Sequence, residues 1–503
     1  MNLKSLTDGL ILKTITGSTS REITNLDTDS RNIKPGGLFI CVPGFRVNGH
    51  DYARDAVANG AVAVVAEQDL PDLAGDVTCI KVPDVRRALP ILANAFFDNP
   101  TGRLKLIGIT GTNGKTTTTH MVEKILNDCG RKTGMIGTLY MRIGEHMEPA
   151  QNTTPDTIQL QRYLHNMAAL GGEYAVLEVS SHGLDMGRVR GSDFQTVVFT
   201  NLSHDHLDYH LDMDSYRSTK ELLFSQLGNS SRDMQKKAVL NADDEASAYY
   251  AKRTSAQVVT YGIKQPAHIR AEDIRHASEG CSFMVRSPWG DGRFSLKVHG
   301  MYNVYNALAA IAVGLVEGLH LEDIRHSLEQ FAGVQGRFQE IQTNQSFRVV
   351  VDYAHNPDGL KAILQSARTI TSGKMICVLG CRGERDRLKR PIMADIAASH
   401  SDYVFFTTDN PFSEDPETIL AEMLNGLNDR ESVNWEVVLN RKDAIRRAVK
   451  MAGEEDRIII TGRGHERRYV SGGTTELFSD EEIVLHSLAG SGEGNQTANA
   501  PNL

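Results

Sequence analysis

The sequence predicts an α/β protein of three domains. These are a central P-loop mononucleotide-binding domain with a parallel sheet, a C-terminal Rossmann-like domain and an N-terminal domain ahead of both. Three observations predict it. Apolar runs of strand length alternate with amphipathic helical stretches nearly throughout the chain. A glycine-rich turn carrying lysine and threonine joins one such strand to one such helix at residues 104–126. A second series of strand–turn–helix units follows Arg337.

Residues 1–100 form the first segment, with strands in Gly37-Leu-Phe-Ile-Cys-Val-Pro-Gly44 and Ala61-Val-Ala-Val-Val-Ala66. Turn formers crowd Asp98-Asn-Pro-Thr-Gly102, which reads as a linker. The second segment, 101–336, has strands at 104–110, 174–180 and 196–202. Shorter alternating runs at 255–300 predict a small antiparallel sheet. The third segment, 337–489, has strands at 347–352, 375–380, 402–407 and 457–461, each followed by a polar turn or helix, a doubly wound pattern. Residues 490–503 are rich in Gly, Ser and Asn and poor in apolar side chains, so disorder is expected there. No internal repeat is visible.

Composition narrows the function. A length of 503 residues suits several domains, and the net charge of −9 argues against a nucleic-acid partner, which wants a basic face. No apolar run is long enough for a membrane span, and Met1–Asp8 lacks the apolar core of a secretory signal. The six cysteines are scattered, and the one close pair, Cys377 and Cys381, has no further ligands at zinc spacing. Buried free thiols in a reducing cytoplasm are the expectation.

The turn Gly111-Thr112-Asn113-Gly114-Lys115-Thr116 carries the most chemistry. Between a buried strand and a helix reading from Thr117, it describes a phosphate cradle. Backbone N–H groups and the helix N-terminus face the anion, Lys115 adds a point charge, and Thr116 can hold Mg²⁺. The general P-loop pattern asks for glycine at 109, where this chain has Ile109, so the loop is a shorter form.

In open α/β sheets active groups collect at the carboxyl ends of strands. Strand 174–180 carries Glu178 and ends at Ser180-Ser181-His182, and strand 196–202 runs into Asn201-Leu-Ser-His-Asp-His-Leu-Asp-Tyr-His210. A carboxylate at the end of an apolar strand wants a cation. Thr116 and Glu178 are therefore Mg²⁺ candidates, with His206 as an extra ligand. A polar loop or a zinc site is the alternative reading of the His-Asp-His run.

Taken in order, Asn152-Thr-Thr-Pro155, Glu178-Val-Ser-Ser-His-Gly-Leu184, Asn201 to His210, Lys220, Gly300-Met-Tyr-Asn-Val-Tyr-Asn-Ala307 and Gly336-Arg337 resemble the Mur ligase family. Thr28-Asp-Ser-Arg31, Asp352-Tyr-Ala-His-Asn-Pro357, Asp409-Asn-Pro411 and Gly462-Arg-Gly-His-Glu466 resemble its UDP-N-acetylmuramoyl-tripeptide synthetase branch. The resemblance spans residues 20–485. It implies amide-bond formation with ATP and Mg²⁺ through an acyl phosphate, in peptidoglycan and cell-wall biogenesis. A diamino acid, meso-diaminopimelate or L-lysine, would be added to UDP-N-acetylmuramoyl-L-alanyl-D-glutamate by a cytoplasmic monomer.

The resemblance also implies residue roles. Lys220 would be carbamylated by CO₂, turning an ammonium into an anion that binds Mg²⁺; by its own pattern it reads as a solvated surface lysine. Lys115, Lys220 and His206 would serve catalysis, and Thr116, Glu178, His206 and Lys220 the metal. Gly111 to Thr117, Asn306, Arg337 and Asp352 would hold the nucleotide. Ser30 and Phe45-Arg46-Val47 would hold the UDP end, and Asn152, Thr153, Thr154, Ser180 and Arg188 the muramoyl-dipeptide. Arg385, Asp409, Asn410, Pro411, Phe412, Gly462 and Glu466 would surround the incoming amino acid.

Here the chain departs from the family. Its diaminopimelate-adding members carry Asp-Asn-Pro-Arg, whose arginine pairs with the distal carboxylate, but this chain has Phe412. Loss of a bidentate carboxylate partner suits lysine or ornithine better. Yet Arg382 stands where the family has glycine, and Arg463 where lysine is usual, and either could supply the cation. The amino acid therefore stays open. The alternatives are a Mur-like ligase recruited to another substrate, a folylpolyglutamate synthetase-like ligase, and a nucleotide-dependent switch or binding module.

Overall fold

The computed structural model describes residues 1–490 except 45–46, 71–72, 74–75, 232–234 and 428–433. Phe45 and Arg46, and the tail beyond residue 490, therefore lie outside the described residues. The fold is α/β in three parts, each built on a mixed, mostly parallel sheet.

Lys105-Leu-Ile-Gly-Ile-Thr110 lies at the heart of the central sheet, buried at every position after Lys105. Such a run is expected of a parallel strand covered on both faces. Tyr174–Glu178 and Phe194–Phe199 flank it in parallel register. Lys237–Asn241 and Gln257–Gly262 extend the sheet on one side and Thr133–Ile136 on the other. One face packs Ile107 and Ile109 against the helices Lys115–Asp128 and Met301–Val316. The other packs Leu106 against Thr157–Ala169 and Met213–Ser225. Met301–Val316 is apolar on nearly all sides and buried along most of its length, as a helix inside a large core should be.

Two expectations need correction. The runs at 255–300 do not form a separate sheet. Gln257–Gly262 is parallel to its neighbour, Ile269–Ala277 joins it in parallel, and Gly280–Arg286 and Gly292–Leu296 continue the same eleven-stranded sheet by antiparallel pairing. Short alternating runs specify pairing but not what the first strand docks on. Similarly, the helix after the phosphate loop begins at Lys115, two positions before the sequence suggests. Gly114 breaks the chain there at a φ of 87°, so the first threonines are already helical.

The N-terminal sheet has the order Thr14–Thr16, Thr78–Lys81, Ala61–Ala66, Gly37–Ile40, Asn25–Asp27, with only the first strand antiparallel to its neighbour. The C-terminal sheet runs Gln339–Ile341, Arg348–Val351, Arg457–Ile460, Met375–Cys381, Tyr403–Thr408, Asn434–Val437, parallel except at its first edge. Helices cover both of its faces.

A buried ion pair ties the last helix to this sheet. Arg441 and Asp480 are both almost fully buried, and the guanidinium donates to the two carboxylate oxygens at 2.8 Å and to the Thr461 carbonyl at 2.9 Å. Removing one partner leaves the other charged and unpaired. Asp480→Ala should therefore cost about 3–5 kcal/mol, read as a lower urea midpoint.

Candidate active site

The phosphate loop depends on two glycines that tolerate no side chain. A Cβ at Gly111 would run into Thr200 Oγ1, and one at Gly114 into Asn306 Oδ1. The loop is also tied to the neighbouring strand end: Asn113 N donates to Asn201 Oδ1 at 2.9 Å, and Thr112 N to the Asn201 carbonyl at 2.8 Å. Lys115 folds back over the loop and donates to the Gly111 and Thr112 carbonyls, both at 2.8 Å.

Glu178 ends its strand almost fully buried. Its carboxylate accepts Thr116 Oγ1 at 2.9 Å, Thr138 N at 2.8 Å and Thr138 Oγ1 at 3.0 Å. The donors are hydroxyls and an amide, and among the described residues no ion pair with Glu178 is formed within 4.0 Å. Nor do the described residues hold any group of three or more His, Cys, Asp or Glu side chains able to bind a metal ion. A cation at Thr116 and Glu178 would find hard oxygen donors and would complete its shell from phosphate and water, which suits Mg²⁺ better than zinc.

Lys220, expected from its own pattern on a surface, is fully buried on Met213–Ser225. Its Nζ donates to the Gly111 carbonyl at 2.9 Å, the same oxygen that Lys115 engages, and lies 4.4 Å from the Tyr216 ring centre. Burial, with Lys115 beside it, holds its pKa well below the usual lysine range. Burial also lowers that of Lys115, although Glu178 and Asp205 oppose the shift.

His206 takes a left-handed backbone, φ 57°, at the start of Leu207–His210. Burial pulls its pKa down to about 3 against the pull of Asp205, so the imidazole is neutral at physiological pH and can act as a ligand. Its ring lies 5.0 Å from His182, whose pKa burial lowers to about 4.

Four of the substrate-side candidates of the central sheet, Thr153, Thr154, Ser180 and Arg188, form one network around Glu178, and Asn152 lines the same cleft. Thr154 Oγ1 donates to the Glu178 carbonyl at 2.9 Å and meets Ser180 Oγ at 3.1 Å, Arg188 donates to the Thr154 carbonyl at 2.8 Å, and Thr153 meets Thr138 at 3.1 Å. Ser180 caps Ser181–Asp185.

From the C-terminal side, Arg337 Nη2 donates to Thr116 Oγ1 at 3.1 Å, and its guanidinium lies 4.4 Å from the centre of the Tyr353 ring. Asp352 accepts Phe338 N at 2.6 Å and Ala354 N at 2.7 Å, which pins the turn that presents Arg337. Asn306 is buried beside Gly114, where it meets Thr118 Oγ1 at 3.3 Å and donates to Asn303 at 3.0 Å.

One cleft of about 970 Å³ joins these groups. Its walls include Thr112 to Thr117, Asn152 to Thr154, Glu178, Ser180, Arg188, His206, Asn306, Arg337, Asp352, Arg385 and Asp409. Gly111 and Lys220 lie just beneath it, linked by their hydrogen bond. Asn410 and Glu466 join the wall indirectly: Asn410 donates to Glu466 at 3.1 Å, and Arg382, which lines the cleft, donates to Glu466 at 2.8 Å. Pro411 is buried beside them, Phe412 is half-buried, and Gly462 takes a φ of 106°. No described residue of the N-terminal sheet lines the cleft, so Ser30, at the start of Ser30–Asn32, and the exposed Val47 stand apart from it.

Arg463, offered above as a replacement cation, is fully buried, with Nη1 on Asp409 at 3.0 Å and Asn410 at 2.9 Å and Nη2 on the Arg468 carbonyl at 2.9 Å. It holds the wall from behind and does not face the cleft.

Other residues of the site were given no role by sequence. Asp205, nearly fully buried, accepts Asn356 Nδ2 at 3.0 Å and lies 3.6 Å from His355 and 3.8 Å from Lys389. Burial works to raise its pKa, but His206, His355 and Lys389 hold it well below the carboxylate range. Asn356 also donates to Asn113 Oδ1 at 3.1 Å, and His204 meets Asp386 at 2.7 Å. Together these contacts hold the C-terminal sheet against the phosphate loop. The one sequence signal was the placing of Asp205 and Asn356 inside motifs already singled out.

Comparison with known proteins matches the Mur ligase middle domain at residues 109–314, the Mur ligase glutamate ligase domain at 336–464 and the Mur ligase family catalytic domain at 22–97. The UDP-N-acetylmuramoyl-L-alanyl-D-glutamate--2,6-diaminopimelate ligase of Bacillus velezensis is 47% identical, covering 93% of this chain and 94% of its own. That of Bacillus cereus is 45% identical, covering 93% and 94%. A solved structure of a ligase of the same description superposes with a TM-score of 0.68 at 30% identity, covering 98% of this chain and 99% of the other.

Proposed function

Because the chain belongs to the Mur ligase family, and is by that an ATP-dependent amide ligase of peptidoglycan synthesis, we propose that it joins meso-diaminopimelate to UDP-N-acetylmuramoyl-L-alanyl-D-glutamate. One structural observation carries the reading: a single cleft runs from the phosphate loop to the Arg382–Glu466 wall, past the carboxylate and hydroxyl cluster of Glu178 and Thr116. In this reading residues 1–100 hold the UDP end, 101–336 the ATP and muramoyl-dipeptide, and 337–489 the amino acid. The chain acts as a monomer in the cytoplasm, a setting that the free thiols of all six cysteines support.

The chemistry needs a phosphate between two poor reactants. A substrate carboxylate oxygen attacks the γ-phosphorus, the bond to the β-phosphate oxygen breaks, and ADP leaves. The acyl phosphate then accepts the amine nitrogen at its carbonyl carbon, the carbon–oxygen bond breaks, inorganic phosphate leaves, and the amine loses a proton. Anions must meet in the first step, so cations have to stand between them. Lys115 from the phosphate loop and Arg337 from the C-terminal side supply two. The loop amides and the N-terminus of Lys115–Asp128 orient the phosphates.

Thr116, Glu178 and His206 would hold Mg²⁺, which when bound neutralises phosphate oxygens and draws the reacting groups together. Lys220 and Lys115 share one carbonyl oxygen, a poor arrangement for two ammonium groups. Carbamylation of Lys220 by CO₂ would remove one positive charge and place an anion beside Lys115, joining the metal's donor set.

Phosphate release with ATP, Mg²⁺ and the muramoyl-dipeptide, across meso-diaminopimelate, L-lysine, L-ornithine and no amino acid, tests the reading. Release is expected with meso-diaminopimelate, with a product of matching mass. Release with L-lysine or L-ornithine instead would overturn the acceptor, and silence with all three would point to a recruited ligase.

A further inference from the structure

Two of the three positions at which this chain departs from the family's acceptor motifs, Arg382 and Phe412, touch each other. The Arg382 guanidinium lies 5.4 Å from the centre of the Phe412 ring. Phe412 is held with a φ of 54°, its N–H donating to the Val470 carbonyl at 3.2 Å and its carbonyl accepting Gly472 N at 2.7 Å. The strained backbone keeps the ring beside the arginine.

Resting on the acceptor reading above, we propose that Arg382 selects the second carboxylate of the incoming diamino acid, and that Glu466 beside it takes the ammonium on the same carbon. The distal end of diaminopimelate is a zwitterion, with a carboxylate and an ammonium on one carbon. Its natural complement is a cation and an anion fixed side by side in a cleft wall. Arg382, which lines the cleft, and Glu466, hydrogen-bonded to it from the adjoining layer, are such a pair, 2.8 Å apart, each about four-fifths buried. Asn410 holds the other Glu466 oxygen at 3.1 Å, so the carboxylate is anchored from two sides.

The arginine has donors to spare. Its Nη1 serves Glu466, whereas Nε is buried without a hydrogen-bond partner and Nη2 makes no hydrogen bond among the described residues. Nε and Nη2 form the edge of the guanidinium that grips a carboxylate with two parallel bonds. Three other cations of this region are engaged elsewhere. Arg385 faces Asp208 at 3.8 Å, Lys389 faces Asp205 at 3.8 Å, and Arg463 is locked behind the wall. An acceptor lacking the second carboxylate leaves the Arg382 edge unmatched, and sites built to pair a polar group discriminate strongly against analogues without it.

The test is steady-state kinetics of phosphate release with the full chain. Arg382→Ala is expected to raise KM for meso-diaminopimelate by about 100-fold or more, with the KM values for ATP and the muramoyl-dipeptide within a few-fold of the unsubstituted protein. Arg382→Lys keeps the charge but not the fork and should recover only part of the loss. The exchange Arg382→Gly with Phe412→Arg returns the cation from the other position and should bring KM back within about tenfold of the starting value. An unmoved diaminopimelate KM in Arg382→Ala, while the unsubstituted protein uses diaminopimelate, would overturn the proposal alone. Turnover of the unsubstituted protein with L-lysine and not with diaminopimelate would overturn the acceptor reading on which it rests.

Discussion

Lys220→Ala is expected to lower turnover by roughly 10³-fold while ATP still binds. The reason lies in the charges under the phosphate loop. Lys220 Nζ and Lys115 Nζ both donate to the Gly111 carbonyl, and Lys220 is fully buried. Burial and the neighbouring cation disfavour its ammonium form, which favours the proposed carbamylation by CO₂. Alanine keeps the helix but deletes the group. Lys115 and the loop amides remain to hold ATP, so calorimetric binding of ATP should survive while phosphate release in the presence of all substrates falls. Pre-incubating the unsubstituted protein in CO₂-free buffer should lower its activity, and bicarbonate should restore it. Near-normal turnover of Lys220→Ala would remove this lysine from the chemistry.

Arg337→Ala should reduce kcat by about 10³-fold, the scale seen when an arginine that meets a transferring phosphoryl group is lost. Arg337 comes from the C-terminal side yet donates to Thr116 Oγ1 at 3.1 Å, beside the loop that cradles phosphate. Tyr353 supports its guanidinium from one face, and Asp352 pins the turn at Phe338 N. The arginine thus stands beside the phosphate loop with the C-terminal sheet docked, as it is through Asp205, Asn356 and the His204–Asp386 pair. Arg337→Lys keeps one charge without the planar fork and should regain a minor part of the activity. A kcat unchanged in Arg337→Ala would mean that the residue only holds the two domains together.

Much of this was legible in the residues. Strand Lys105–Thr110 and the Gly111–Thr116 turn announced themselves because buried parallel strands are continuously apolar and because glycines, lysine and threonine coincide at one junction. Glu178 stood out as a carboxylate ending an apolar strand. Lys220 did not: its helix reads as amphipathic, and nothing nearby in the chain shows that Thr112, Tyr216 and the phosphate loop close over it. Asp205 was seen but given no work, since its partners Asn356, His355 and Lys389 lie far along the chain. The choice between Arg382 and Arg463 was equally hidden. Both are arginines followed by glycine just past the end of a buried strand, and only packing turned one toward the cleft and the other behind it.

The sequence by itself determined the α/β class, the phosphate loop and the family, because hydrophobic period, turn chemistry and motif spacing act over a few residues at a time. The tertiary structure alone decided that the antiparallel run at 269–296 joins the central sheet, that Lys220 is buried against Lys115, and that Arg382 rather than Arg463 faces the cleft. Each of those depends on which distant surfaces exclude water from one another. Asn113 and Asn356 meet across 243 positions of chain, and no local pattern encodes such a contact.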